Sequence, residues 1–151
     1  MPQSLSQVWL HLVFSTKDRI ALLQNIDFRN EMFKMLGHHV GEAGCYPKLV
    51  GGWIDHVHIV CGLSRTVAIA KLIEHLKTET SRWAKKTRGG SRLFTWQAGY
   101  GAFSVSQSNL DRVLQYVEQQ EEHHRKRTFQ DEFRVLCRKH HLEIDERYVW
   151  D

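Results

Sequence analysis

The chain has 151 residues, 42% of them apolar and 25% charged, with two prolines and a formal net charge of +4. That length and mixture suit one domain over residues 1–151, with 128–151 as a C-terminal helix and tail, and they exclude disordered, fibrous or low-complexity chains. No apolar run approaches the roughly 20 residues that cross a bilayer, residues 1–7 lack an export signal, and Cys45, Cys61 and Cys137 are too scattered for a disulfide framework or zinc knuckle. The expectation is a cytoplasmic, nucleoid-associated protein with small buried thiols.

Gln7 to Phe14 is rich in β-branched and aromatic types and reads as a central strand. From Asp27 to about Ala43, Phe28, Met32, Met35, Leu36 and Val40 recur at helical spacing, with Asp27 able to cap the start and Gly44 to stop the end. Residues 46–53 and 56–62 form a hairpin around Gly51-Gly52 and Asp55. Ser64 or Thr66 then opens a long helix burying Ile69, Leu72, Ile73, Leu76 and Trp83, and Gly89-Gly90 ends it.

Tyr100 to Ser106 is a fourth strand, and Ser108 with Asp111 begins a helix that runs to about Lys126. Thr128 caps a last helix over 129–140, followed by an irregular tail. The order β-α-β-β-α-β-α predicts an α+β, ferredoxin-like split βαβ sandwich: an antiparallel four- to five-stranded sheet with helices on one face. The other face is left free for a ligand, with the helix from Asn109 near it.

Within that frame, His56 and His58 alternate with Val57 on a strand, so both imidazoles share one face and can reach one divalent ion. Asp55 stands where it can orient a ring. Two histidines on a polar sheet face would need no metal. Tyr116 and Gln120, four residues apart, lie on one flank of the apolar stripe of Leu110, Val113, Leu114 and Val117. An amide oxygen can complete a metal site and a phenol can act as a nucleophile, although a boundary aromatic and a solvated glutamine fit the same positions. The most basic window holds Lys77, Arg82, Lys85, Lys86, Arg88 and Arg92 against the single acid Glu79, which suits contact with a nucleic-acid backbone or a solvated helix face.

Four segments in order, Trp9-Leu10-His11-Leu12-Val13-Phe14-Ser15-Thr16-Lys17, Asp55-His56-Val57-His58-Ile59-Val60, Trp96 to Val105, and Tyr116-Val117-Glu118-Gln119-Gln120, resemble the single-tyrosine HUH transposases of bacterial insertion sequences. The resemblance spans essentially the whole chain. It implies that His56, His58 and Gln120 hold the metal and that Tyr116 attacks DNA, with Tyr100 on its strand the competing tyrosine. It also implies single-stranded DNA with hairpins as substrate, Mg²⁺ or Mn²⁺ as cofactor, and a homodimer. By ligand type alone, two imidazoles and an amide oxygen suit Mn²⁺, Ni²⁺ or Zn²⁺ better than Mg²⁺. Two rival readings remain: a non-catalytic RNA- or single-stranded-DNA-binding module on the same βαββαβ order, and a metal hydrolase using His56, His58 and His123 or His124.

Overall fold

The computed structural model describes residues 2–151, and Met1 lies outside the described residues. Its elements are β1 (Trp9–Ser15), α1 (Ile26–Glu42), β2 (Tyr46–Gly52), β3 (His56–Gly62), α2 (Ile69–Lys86), β4 (Gly101–Val105), α3 (Leu110–Glu118), α4 (Gln120–His124) and α5 (Phe129–Lys139). The four strands form one sheet in the order β2-β3-β1-β4. Every neighbouring pair is antiparallel. This is the ferredoxin-like α+β arrangement expected from the order of elements.

Side chains alternate across the sheet, as a period of two requires. Leu10, Leu12 and Phe14 of β1 and Val57, Ile59 and Cys61 of β3 join Leu36, Val40, Leu72 and Leu76 in the core under α1 and α2. The opposite face is also covered. Val60 packs with Leu110 and Val117 of α3, and Val13 with Phe103, Phe129, Phe133 and Cys137. All seven residues of β3 are therefore buried. The free sheet face expected from the sequence does not exist, because α5 folds back over the end that α3 leaves open. All three cysteines are buried and unpaired.

Local boundaries follow capping chemistry. Asn25, rather than Asp27, caps α1, its side chain accepting from the Phe28 N–H at 3.0 Å. Gly44 turns the chain away with φ +86°, a conformation open to glycine. The second helix begins at Ile69 after Ala68, not at Ser64 or Thr66, whose hydroxyls bond each other at 3.2 Å. The single helix expected from Ser108 to Lys126 is broken at Gln119 (φ −98°, ψ 22°) into α3 and α4. Thr128 caps α5 as expected, accepting from the Asp131 N–H at 3.2 Å.

The α3 helix sits close to the sheet at Gly51. A Cβ built there would lie 2.8 Å from the Val117 carbonyl oxygen and 2.9 Å from Val117 Cγ1. Gly51→Ala should therefore lift α3 and cost about 1–3 kcal/mol. Urea denaturation measures this cost, and an unchanged midpoint would show that α3 does not depend on that contact.

Candidate active site

Period two along β3 brings the His56 and His58 rings to the α3–α5 side, both with no exposed surface. Asp55, in the hairpin turn, holds His56 Nδ1 at 2.7 Å. The other nitrogen, Nε2, lies 3.1 Å from Gln120 Oε1. On β1, the diagonal neighbour His11 presents Nε2 to His58 Nδ1 at 2.7 Å. That contact fixes the orientation of the His58 ring and leaves its Nε2 facing inward.

The centre is closed by Glu132. Its Oε1 lies 2.9 Å from His58 Nε2, 3.2 Å from His124 Nε2 and 3.4 Å from His56 Nε2. Its Oε2 accepts the Tyr116 hydroxyl and the Gln120 amide at 3.1 Å. His124 Nε2 is also 3.0 Å from Gln120 Oε1. The structure thus brings Tyr116, His56, His58 and Gln120 together, and adds Glu132, His124 and His11. Tyr100 stands elsewhere, exposed, with its ring 5.8 Å from Lys77 Nζ.

This donor set fits a divalent ion. Ligand atoms of His56, His58, His124 and Glu132 lie within 4.8 Å of one another, and imidazole nitrogens with a carboxylate oxygen are the ligands that Zn²⁺ and Mn²⁺ share. The Glu132 carboxylate also supplies negative charge that the sequence-derived set of two imidazoles and an amide lacks, which makes the site more hospitable to a hard cation.

Without metal, the charges sort themselves. Burial disfavours the His56 imidazolium, but hydrogen bonds and charge from Asp55 and Glu132 outweigh it and raise the pKa to about 9. Burial likewise opposes ionisation of Glu132, and the surrounding imidazoles outweigh it, so the carboxyl is held well below the usual carboxylate range. His58 and His11 are lowered, in each case chiefly by burial. Burial and the Glu132 charge push the Tyr116 phenol up.

Beside the site, a cleft of about 400 Å³ reaches Tyr116 and is edged by Arg112, Arg127, Lys139 and His140. The basic window noted in the sequence lies across the sheet, on α2 and the loop after it. Within it, Lys77 Nζ is held by the carbonyls of Gln97 (2.8 Å), Ala98 (3.3 Å) and Gly99 (2.6 Å), and burial lowers its pKa to about 8. Arg82, Lys85, Lys86, Arg88 and Arg92 are exposed. Glu132 escaped the sequence reading although it left a trace: it falls on the apolar stripe of Phe129, Phe133 and Cys137, where an acid has no reason to be unless it meets cations or a metal.

The family described as "Transposase IS200 like" matches residues 4–120, and the chain belongs to that family. Among solved structures, a protein from Deinococcus radiodurans assigned as a transposase superposes with a TM-score of 0.59 at 20% identity, covering 80% of this chain and 95% of that one. A REP-associated tyrosine transposase bound to a REP hairpin superposes with a TM-score of 0.61 at 9% identity, covering 82% of this chain and 72% of that one. No curated protein matches the chain. Among the described residues, no helix is long and apolar enough to cross a membrane.

The charge pattern makes a stability prediction for metal-free protein. A group with a raised pKa contributes stability that is fully present below its ordinary value near 6.5 and lost as pH rises through about 9, as His56 does here. In chelator, unfolding free energy measured with urea should fall between pH 7 and 10. Asp55→Asn, which removes one of the two raising charges, should flatten that fall by about 1.4 kcal/mol, the equivalent of one pKa unit. An identical pH profile in the variant would mean that Asp55 does not hold the His56 proton.

Proposed function

We propose that this transposase cleaves and rejoins single-stranded DNA at the ends of its element through a 5′-phosphotyrosine intermediate on Tyr116. The observation that carries the proposal is the convergence of the Tyr116 hydroxyl, His56, His58 and Gln120 on one buried cluster opening to a basic cleft. A hairpin-bound structural neighbour supports DNA hairpins as the recognised form.

In the first step Tyr116 Oη attacks the scissile phosphorus, the P–O3′ bond breaks, and a free 3′-hydroxyl leaves while the 5′-phosphate stays on the tyrosine. Glu132 Oε2 accepts the phenolic hydrogen bond and so orients Tyr116; the phenolic proton passes to solvent as the bond forms, and the departing O3′ takes one up from solvent. In the second step another 3′-hydroxyl attacks the phosphotyrosine, and Tyr116 leaves and recovers its proton, so the bond energy is conserved without ATP. Arg112, Arg127 and Lys139 hold the DNA backbone along the cleft. The exposed Arg82, Lys85, Lys86, Arg88 and Arg92 offer a more distant track, whereas Lys77 serves as an internal strut for residues 97–99.

His56, His58 and Gln120 would hold the divalent ion, Mg²⁺ or Mn²⁺, with Glu132 and His124 within reach of it. When bound, such an ion supplies charge withdrawal from a non-bridging oxygen of the scissile phosphate. We further propose a homodimer, since cutting two element ends calls for two tyrosines and each chain offers one at the site. Light scattering at micromolar concentration tests this, and a mass near 18 kDa in the active protein would defeat it.

The deciding experiment incubates the protein with labelled single-stranded DNA from its own element ends and Mg²⁺ or Mn²⁺, then resolves the products on denaturing gels. The native chain should form a covalent adduct that Tyr116→Phe abolishes. An adduct surviving in Tyr116→Phe would place the nucleophile elsewhere. Hairpin binding with no adduct would favour the binding-module reading.

A further inference from the structure

On the sheet face away from Tyr116, α1 and α2 run antiparallel and are joined at both ends. At one end, Phe28 of α1 stacks on Trp83 of α2 with ring centroids 5.3 Å apart and planes 7° from parallel. At the other end the joining groups are polar. Glu42, in the last turn of α1, stands among three imidazoles from the two helices. His75 Nε2 of α2 is 2.9 Å from Glu42 Oε1, His39 Nδ1 is 3.2 Å from the same oxygen, and His38 Nε2 is 3.7 Å from Oε2.

We propose that His38, His39 and Glu42 of α1 with His75 of α2 form a second metal site, for a borderline transition ion of the Zn²⁺ type, that clips the two helices together.

Three features carry this. The ligand atoms of His38, His39 and Glu42 lie within 4.8 Å of one another, and His75 approaches the same carboxylate from the facing helix. Imidazole nitrogen with carboxylate oxygen is a donor set that binds Zn²⁺ at about 2.0–2.2 Å, so an ion drawn to His38, His39 and Glu42 would recruit His75 from the facing helix by rotation of its side chain. The position favours a cation as well, because the negative end of the α1 dipole points there.

Ion pairing alone is a poor reason for the arrangement. Exposed pairs of this kind contribute roughly 0–1 kcal/mol, so ion pairing alone gives the cluster little stability. His39 is moreover buried, its side chain only 9% exposed, while Glu42 and His75 keep enough exposure, 47% and 33%, for an ion to enter from solvent. The histidines of the active site lie across the sheet, and the two clusters share no residue.

Isothermal titration of the full chain with Zn²⁺ near pH 7.5 tests the proposal, together with thermal unfolding with and without the ion. Native protein should bind one more equivalent than Glu42→Gln, His75→Asn or His38→Asn, or bind that equivalent at least tenfold more tightly than they do. The rise in melting temperature that Zn²⁺ confers should shrink in each variant, and Tyr116→Phe, on the other face, should retain the equivalent in question. All three test positions are partly or largely exposed, so the variants should fold, and DNA cleavage should be unaffected in them. Zn²⁺ uptake in Glu42→Gln and His75→Asn indistinguishable from native would overturn the site. A doubling of mass on adding Zn²⁺, lost in the same variants, would also overturn the intrachain clip, because the ion would then join two copies.

Discussion

The organisation of this molecule turns on one buried negative charge. Removing a carboxylate from water costs several kcal/mol even after a protein relaxes around it, and Glu132 is 1% exposed. What offsets that cost is drawn from separate parts of the chain: His56 and His58 from β3, Tyr116 from α3, Gln120 and His124 from α4. None of these partners neighbours Glu132 in sequence, so the contacts form only when α5 docks on the sheet face that α3 and α4 leave uncovered. The group that tightens the fold and the groups that would perform the chemistry are the same set.

The surrounding architecture serves that convergence. A break at Gln119 ends α3 and starts α4, with the Gln119 N–H shared between the Gln115 and Tyr116 carbonyls at 3.2 and 3.3 Å. It leaves Gln120 buried between His56 and His124 while its amide still reaches the Tyr116 carbonyl at 3.4 Å. The α5 helix is in turn secured by apolar contacts, Phe129 and Phe133 packing with Phe103 and Val13, and by the tail, where Trp150 lies against Arg134 and both phenylalanines. Residues 97–99 complete the arrangement, tied to Asp151 through the Ala98 N–H at 2.9 Å and to Lys77 through their carbonyls.

Much of this was legible in the residues. The strands were readable because period-two alternation and β-branched runs are local signals, and the order of elements then left few topologies. His56 and His58 shared a face for the same reason, and Tyr116 with Gln120 followed from helical spacing. The position of α5 was not readable, since nothing local says which face of a sheet a late helix will cover, and Glu132 is 74 residues from His58. His11 needed the β1–β3 register before its diagonal contact could be seen. The break at Gln119 escaped because no glycine or proline marks it. Asn25 displaced Asp27 as the α1 cap because the helix begins two residues earlier than its apolar stripe suggests.

Shared duty between fold and chemistry bears on how such a gene decays. On the proposed mechanism, a copy that loses His56 or His58 would lose cleavage, and it would also strip the buried Glu132 carboxylate of a partner, so it should be cleared as a misfolded product sooner than a copy that loses only Tyr116. Inactive descendants are thus filtered for those that kept their histidines. In a lineage that no longer cleaves DNA, an intact His-Val-His strand would testify to the need to stay folded rather than to retained activity.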